Sequence, residues 1–256
     1  MNPAVSVVIP SHNRPHTLKR ALNSVLRQSL SDFECLIVDD SVDTQAIRDV
    51  VAECDDARIR LFQFPLMSAI EAWRKCLSLA SGRYIQFLLD DDWLDPMILQ
   101  LAAAALDEDA GVNLVFWGAV ARLADTDWIG YFSRRMCRVS PQEFECRCLS
   151  PANGDIPNNP SAVMVRAFNG IRLFSDFENP EVRDRAQKTY ACDLLYVMEA
   201  GLSGTAVLQL PRIGSFFGTD AESLTMQDVG LVNYIQGLFK EEYLRRPNWR
   251  RDCSAK

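Results

Sequence analysis

Short apolar runs alternate with stretches of helical periodicity through the first hundred residues of this chain. Four of these runs are predicted strands: Val5–Ile9, Phe33–Val38, Ile59–Phe64 and Tyr84–Leu89. The runs are mostly apolar, with one or two polar residues each, which is typical of strands that are buried on both faces of a sheet. Between them, apolar side chains recur at helical spacing. The alternation predicts an α/β fold whose central sheet is mostly parallel, flanked by helices and joined by right-handed crossovers.

The second half of the chain is less regular. Its predicted strands are Val112–Val120, Ser161–Val165 and Thr205–Leu210, and its predicted helices are Tyr190–Ala200 and Gly230–Leu244. Residues 121–160 show no clear periodicity, so we expect this stretch to be irregular. The first predicted helix follows Asn13, a candidate cap, and has Pro15 near its first turn.

Charge and hydropathy exclude several functions. The net charge of -7 argues against general nucleic-acid binding, because a phosphate backbone requires a basic face. No apolar run approaches the roughly 20 residues of a membrane span, and the start lacks a secretory signal pattern, so we expect a cytoplasmic protein. Four arginines surround Trp249: Arg245, Arg246, Arg250 and Arg251. They form either a solvated helix end or a peripheral contact with the anionic inner membrane face.

Polar side chains directly follow three of the predicted strands. Ser11 to Arg14 follows the first strand, Asp39 to Ser41 the second, and Asp90 to Asp92 the fourth. The carboxyl ends of parallel strands meet at one edge of the sheet, where α/β folds bind their ligands. The sequence therefore predicts a single site built from these three segments.

The run of three carboxylates at residues 90–92 indicates a cation site. Two like charges about 4 Å apart repel by roughly 4 kcal/mol at an effective dielectric of 20. Carboxylate oxygens suit Mn²⁺ or Mg²⁺, and Mg²⁺ often takes further ligands from substrate phosphates. The alternative is that Asp92 or Asp95 caps a helix that begins near Pro96. No glycine precedes Gly82, which excludes a glycine-rich phosphate loop after the first strand.

Three segments carry a known pattern: VSVVIPSHNR at residues 5–14, FECLIVDDS at 33–41, and ASGRYIQFLLDDD at 80–92, which Pro96 follows. In this order and spacing they resemble the donor-binding half of family 2 inverting glycosyltransferases. The resemblance implies a GT-A fold in one domain. A nucleotide-sugar-binding half would occupy residues 1–110, an acceptor and catalytic half residues 111–225, and a C-terminal helix and basic tail residues 226–256.

The resemblance also implies roles for individual residues. The nucleotide and donor would be bound by Pro10, Ser11, Arg14, Asp39, Arg74 and Asp90. Within that set, Asp39 would hydrogen-bond the base and Asp90 would lie near the ribose or donor sugar. Asp91 would bind Mn²⁺ or Mg²⁺. Leu89 stands where the family often has a further acid, which leaves Asp92 as a weaker alternative ligand. Arg74 would contact base or phosphate, or else be a surface arginine.

The segment Tyr190–Gly201 resembles the one that carries the family's catalytic base, which implies that role for Asp193. The alternative is a surface or capping aspartate at a helix start. Weaker candidates lie upstream at Asp176, Glu178 and Asp184. The later loop Phe216–Thr225 lacks the Arg and His that many relatives carry, and Asp220 could supply an oxygen to the metal instead.

The implied activity is that of a metal-dependent, hexosyltransferase-like enzyme in polysaccharide biosynthesis. It would move a sugar from a nucleotide-diphosphate sugar, with a UDP-sugar as the default, to a glycan or lipid-linked acceptor. A sugar nucleotidyltransferase shares this fold and metal chemistry, but its glycine- and arginine-rich opening loop is missing. A non-catalytic module that binds nucleotide sugars is the other alternative.

Overall fold

The computed structural model describes residues 2–123, 126–149, 156, 159–167 and 192–218. Its helices are α1 (Pro15–Leu26), α2 (Thr44–Ala52), α3 (Ala69–Leu79), α4 (Ile98–Glu108), α5 (Pro141–Leu149) and α6 (Cys192–Leu202), with a 3₁₀ turn at Pro160–Ala162. Its strands are β1 (Val5–Ser11), β2 (Phe33–Asp39), β3 (Ile59–Gln63), β4 (Tyr84–Phe87), β5 (Trp93–Leu94), β6 (Val112–Leu123), β7 (Thr126–Gly130), β8 (Cys137–Val139), β9 (Val163–Arg166) and β10 (Ala206–Phe217). The helix predicted at Gly230–Leu244 lies outside the described residues.

One mixed sheet holds all these strands, in the order β3-β2-β1-β4-β9-β6-β10-β5, with β7 on β6 and β8 on β10. β1 pairs in parallel with β2 and β4, and β2 pairs in parallel with β3. β9 runs antiparallel between β4 and β6. Apolar clusters cover the sheet and pack the helices against it. The predicted α/β architecture, a central sheet flanked by helices, is confirmed. The predicted parallel pairing holds in β3-β2-β1-β4 and between β6 and β10, and the remaining strand pairs are antiparallel. In the described part of the chain, no helix is long and apolar enough to cross a membrane.

The first helix begins as predicted near Pro15, but the expected cap is wrong. Pro15 occupies the start of α1, where a missing N–H costs nothing. The N-cap is Arg14, which makes no side-chain capping bond. Asn13 instead has a φ of 57°, and its Oδ1 accepts from the Val42 N–H at 2.9 Å. Asn13 is thus used to link the loops after β1 and β2.

The described part of residues 121–160 is not irregular, contrary to the prediction. They contain the end of β6, the strands β7 and β8, and helix α5. β7 forms an antiparallel pair with β6, and β8 with β10. Pairing partners, not a local apolar pattern, stabilise such short strands. β10 also runs beyond its predicted end at Leu210, because shifts in register carry it past Pro211.

An aromatic cluster joins the first and second halves of the fold. The Trp73 ring of α3 stacks on Phe87 of β4, with ring centroids 4.4 Å apart. Tyr196 of α6 packs edge-on against both rings, at 5.8 Å from Trp73 and 4.9 Å from Phe87. β4 leads into the three aspartates, and α6 carries Asp193. The cluster therefore fixes the position of these two acidic segments relative to each other.

Replacement of Trp73 by alanine should lower the free energy of unfolding by about 3–5 kcal/mol, because the side chain is 4% exposed and its loss leaves a large cavity. Urea unfolding measures the change. The control is Leu66→Ala, at a side chain that is 75% exposed, where a change within about 0.5 kcal/mol is expected. A loss below 1 kcal/mol for Trp73→Ala would show that the cluster contributes little.

Candidate active site

The three polar segments meet at the carboxyl edge of the parallel strands. Ser11, the last residue of β1, is opposite Asp39, the last residue of β2. On the other side of β1 lies β4, from which the chain continues to Asp90. The sheet thus brings together the segments that the sequence predicted to form one site.

Asp39 is fully buried and held by three donors. Its Oδ1 accepts from the backbone N–H of Ser41 at 3.2 Å and from the Ser41 hydroxyl at 2.5 Å. Its Oδ2 accepts from Gln63 Nε2 at 3.0 Å. These bonds fix the carboxylate at the end of β2. Gln63 lies at the end of β3, and no motif identified it in the sequence.

Asp40 organises the loops around this edge, although it was not among the predicted site residues. Its Oδ2 accepts from the Met67 N–H at 2.8 Å, just ahead of α3. Its Oδ1 lies 2.8 Å from Nδ1 of His12, whose ring is exposed. The sequence could have indicated Asp40 through the pair of adjacent acids, Asp39 and Asp40, at the end of β2. The second acid of the pair connects the β1, β2 and β3 loops.

Arg14 joins the first and fourth strand ends. Its Nη1 donates to Asp90 Oδ1 and to Asp91 Oδ2, both at 3.2 Å. The backbone N–H of His12 also lies 3.4 Å from Asp90 Oδ2. The single guanidinium nitrogen shows that these two carboxylates converge on one point. A positive charge therefore lies between them in this structure.

Ser11 and Pro10 complete the β1 side of the site. The Ser11 side chain is buried. Among the described residues, its hydroxyl has no hydrogen-bond partner. A buried polar atom without a partner is costly, so a bound ligand is a natural partner for it. Pro10 is partly exposed beside it. Arg74, by contrast, lies on the exposed face of α3, where its charge acts on Glu71.

Asp92 makes its hydrogen bonds to the second half of the fold. It accepts from Asn159 Nδ2 at 3.0 Å and from the Gly218 N–H at 2.9 Å. The capping alternative is wrong for Asp92. Helix α4 begins at Ile98 with Met97 as its N-cap, and Asp95 bonds the turn that leads into it. Asp95 accepts from the Met97 N–H at 2.9 Å and so lies ahead of the helix.

The end of β10 closes against the same loop. A side chain at Gly218 would collide with the backbone carbonyl of Asp91, so this close approach requires glycine. Arg20 of α1 donates from Nη2 to that carbonyl at 2.6 Å, and its guanidinium lies 4.3 Å from the ring centroid of Trp93. Arg20 and Gly218 thus fix the backbone of residues 90–92, which we call the acidic loop. The sequence did not identify either residue.

Three carboxyl groups in this region have raised pKa values. Burial, with a contribution from the charge of Asp91, raises the pKa of Asp90 to about 7 even though Arg14 lowers it. Burial and the Asp91 charge raise the pKa of Asp92 to about 8. Burial raises the pKa of Asp193 to about 7, and Asp91 again adds to the shift. The region therefore has more buried acid than nearby positive charge.

Asp193 is in the first turn of α6, as predicted, and its side chain is partly exposed. The effect of the Asp91 charge on its pKa places both carboxyls in one electrostatic environment. Asp193 therefore lies on the second half of the fold, and its carboxyl is influenced by the charge of Asp91. The weaker candidates Asp176, Glu178 and Asp184, and also Asp220, lie outside the described residues.

The residues at this edge fit a divalent cation that shares its ligands with a substrate. Asp90 and Asp91 offer hard carboxylate oxygens directed at one point. Among the described residues, no three potential side-chain ligands are grouped closely enough to form a protein cage. A cation here would take its remaining oxygens from a phosphate group and from water, as Mg²⁺ commonly does.

Comparison with known proteins agrees with this geometry. The sequence profile described as Glycosyl transferase family 2 matches residues 6–172, which is more than half of the chain. The chain belongs to glycosyltransferase family 2. The matched range contains Ser11, Arg14, Asp39 and the acids 90–92, while Asp193 lies beyond it.

Curated relatives share parts of this family 2 sequence. The uncharacterized protein MT1568 of Mycobacterium tuberculosis is 34% identical over 172 residues, which cover 66% of this chain and 50% of the relative. WfgD of Escherichia coli, a UDP-Glc:alpha-D-GlcNAc-diphosphoundecaprenol beta-1,3-glucosyltransferase, is 38% identical over 92 residues, or 35% of this chain and 36% of WfgD. The chain thus spans between about a third and a half of the length of these two relatives.

Solved structures share the fold of this family 2 chain. S. aureus TarS 1-349 in complex with UDP-GlcNAc superposes with a TM-score of 0.69 at 18% identity, covering 96% of this chain and 68% of that chain. The mannosyltransferase PcManGT from Pyrobaculum calidifontis, with GDP-Man and Mn²⁺, gives 0.56 at 14% identity, covering 95% and 70%. The predicted GT-A fold is confirmed.

Replacement of Arg14 by alanine should make stability more sensitive to pH. The pKa of Asp90 is higher in the folded protein than in the unfolded chain, so the folded state binds more protons and stability falls as pH rises between about 4 and 7. Arg14 lowers that pKa, so its loss should extend the fall to higher pH, at about 1.4 kcal/mol per pKa unit. Urea unfolding at several pH values measures the change.

The control for this experiment is Arg14→Lys, which keeps the positive charge and should retain most of the wild-type pH dependence. If Arg14→Ala and the wild type lost stability in parallel over the whole pH range, the guanidinium would not be the counter-charge of these carboxyls.

Proposed function

We propose that this protein transfers a sugar from a nucleotide-diphosphate sugar to an acceptor hydroxyl, with inversion at the anomeric carbon, in polysaccharide biosynthesis. The observation that carries the proposal is the convergence of Asp90 and Asp91 on Arg14 beside the buried Asp39, in a chain of glycosyltransferase family 2. A UDP-sugar is the favoured donor, because TarS is solved with UDP-GlcNAc and the name of WfgD specifies UDP-Glc. We propose a glycan or lipid-linked acceptor, because the name of WfgD specifies the acceptor alpha-D-GlcNAc-diphosphoundecaprenol.

The donor would lie across the ends of β1, β2 and β4. Asp39 offers its carboxylate to the base, since it is fixed by Ser41 and Gln63. The buried Ser11 hydroxyl and Pro10 would line the nucleotide pocket, and Asp90 would approach the ribose or donor sugar. Arg14 is the positive group that can turn from the carboxylates to the diphosphate. Arg74 remains a weaker prediction because it lies on the exposed face of α3.

Asp91 is the residue we assign to Mn²⁺ or Mg²⁺, and PcManGT is solved with Mn²⁺. A bound divalent cation would stabilise the negative charge that develops on the departing diphosphate. Arg20 and Gly218 would keep the Asp91 backbone in place for this task. Asp92 is engaged by Asn159 and Gly218, which favours Asp91 over Asp92 as the ligand.

Asp193 would act as the general base. It would accept the proton of the acceptor hydroxyl while that oxygen attacks the anomeric carbon and the bond to the diphosphate breaks. Its pKa of about 7 is near the working pH, where a base combines sufficient ionised fraction with sufficient strength. An inverting transfer requires the base on the face of the sugar away from the leaving group, and this is the place that we propose for Asp193.

Replacement of Asp193 by asparagine should lower the transfer rate by about 10²–10⁴-fold while donor binding persists, because general-base assistance is typically of that size. In the wild type, kcat should rise with pH through about 7, since Asp193 accepts a proton only when ionised. Release of nucleoside diphosphate in the presence of acceptor measures both quantities. The exposed Asp49→Asn on α2 is the matched control. An unchanged rate in Asp193→Asn would remove this residue from the mechanism.

Replacement of Asp91 by alanine should abolish the dependence of donor binding on Mn²⁺, because the proposed ligand is lost. Titration calorimetry with UDP-GlcNAc, with Mn²⁺ or with a chelator, measures this effect. Asp49→Ala should bind the donor as the wild type does. Metal-dependent binding that survives in Asp91→Ala would contradict the assignment.

The same assays separate the alternatives. Release of pyrophosphate from a nucleoside triphosphate and a sugar phosphate would indicate a nucleotidyltransferase. Donor binding without hydrolysis or transfer would indicate a non-catalytic binding module. A cytoplasmic location and a peripheral membrane contact through the basic C-terminus stay predictions, because residues 219–256 lie outside the described chain.

A further inference from the structure

A second concave surface lies beside the acidic loop. It is a groove of about 570 Å³ between α1 and the pair β5–β10. That volume is within the range of about 300–1,000 Å³ that is typical of small-molecule sites. Trp93 forms part of its wall and directly follows Asp92 in the chain, so the groove begins next to the acids. Asp39 and Ser11 approach the same acids from β2 and β1.

The α1 side of the groove is basic. His16, Lys19, Arg20 and Arg27 line it from one face of the helix, and none of its described lining residues is acidic. At about 1.5 Å per residue, this stripe extends about 16 Å along the helix. Lys19 also forms an ion pair with Glu53 of α2, which offsets part of its charge. The chain as a whole has a net charge of -7, so this lining carries a local charge of the opposite sign.

The opposite wall holds one of these cations in a fixed position. Trp93 stacks on Phe216, with centroids 5.6 Å apart and ring planes 8° from parallel. The Arg20 guanidinium lies over the Trp93 ring and donates to the carbonyl of Asp91. Arg20 is therefore ordered before any ligand arrives, which lowers the entropic cost of binding.

We propose that this groove binds an extended phosphate-bearing part of the acceptor. Lysine and arginine are the side chains that proteins use for phosphate groups. Arg20 and Arg27 are seven residues apart, about 10 Å along the helix, which exceeds the size of one phosphate and favours a ligand with two phosphates, linked to each other or on neighbouring headgroups. Only the identification of the ligand as the acceptor rests on the proposed function. The anion site itself does not.

Inorganic pyrophosphate is the probe, titrated by calorimetry into the full chain at low ionic strength with a chelator present. The wild type should bind it, and binding should weaken as salt is added, because exposed charges are screened. Arg27→Gln should weaken binding severalfold and Arg27→Glu about tenfold or more. Lys75→Glu is the matched control: Lys75 is an exposed cation on α3, outside the groove, and the substitution makes the same change in charge.

A second arm identifies the source of the phosphate. Vesicles of equal parts phosphatidylglycerol and phosphatidylcholine are sedimented with the same four proteins. Vesicle binding that weakens in Arg27→Glu and not in Lys75→Glu would support a lipid headgroup as the source. Pyrophosphate binding without vesicle binding would support a soluble phosphate-bearing acceptor.

Two results would contradict the proposal that the groove binds phosphate groups. One is absence of pyrophosphate binding by the wild type, and the other is equal weakening by Arg27→Glu and Lys75→Glu. Donor binding by Arg27→Glu, measured with UDP-GlcNAc and Mn²⁺, should match the wild type. If the wild type failed to bind any nucleotide-sugar donor, the proposed function would be contradicted. The anion site in the groove would still be tested by the pyrophosphate titration.

Discussion

The parallel pairing of β1 with β2 on one side and β4 on the other is the constraint on which the rest of the site depends. It brings Ser11, Asp39 and the loop of Asp90 to one edge of the sheet, although they are far apart in sequence. Buried apolar side chains on both faces of these strands fix the register. A slip of one residue would turn each strand's side chains to the other face, so core packing and site geometry are specified together.

The same edge concentrates buried negative charge that the fold only partly balances. Asp39 and Asp92 are held by neutral donors, which stabilise a carboxylate but do not neutralise it. Arg14 is the cation between Asp90 and Asp91, and the pKa of Asp90 is still raised to about 7. Such a site gains stability from a ligand that brings positive charge, which is consistent with a role in binding a cation together with a diphosphate.

The first half of the fold could be predicted because its information is local. β1 to β4 are mostly apolar runs with clear ends, and the polar segments of the candidate site come at the ends of these strands. β7, β8 and α5 could not be predicted, because β7 and β8 depend on pairing with β6 and β10. The same limit applies to the site. The partners of Asp92 are Asn159 and Gly218, which are 67 and 126 residues away. No spacing rule relates them, whereas the neighbouring acids 90–92 were visible as a motif.

Helix α1 connects the acidic loop to the basic groove. Arg14, at its N-terminus, binds the side chains of Asp90 and Asp91, and Arg20, about two turns later, binds the Asp91 backbone. The face of α1 that carries Arg20 also lines the groove. The position of Asp91 therefore depends on two arginines of one helix segment, because Arg14 contacts its carboxylate and Arg20 contacts its backbone carbonyl.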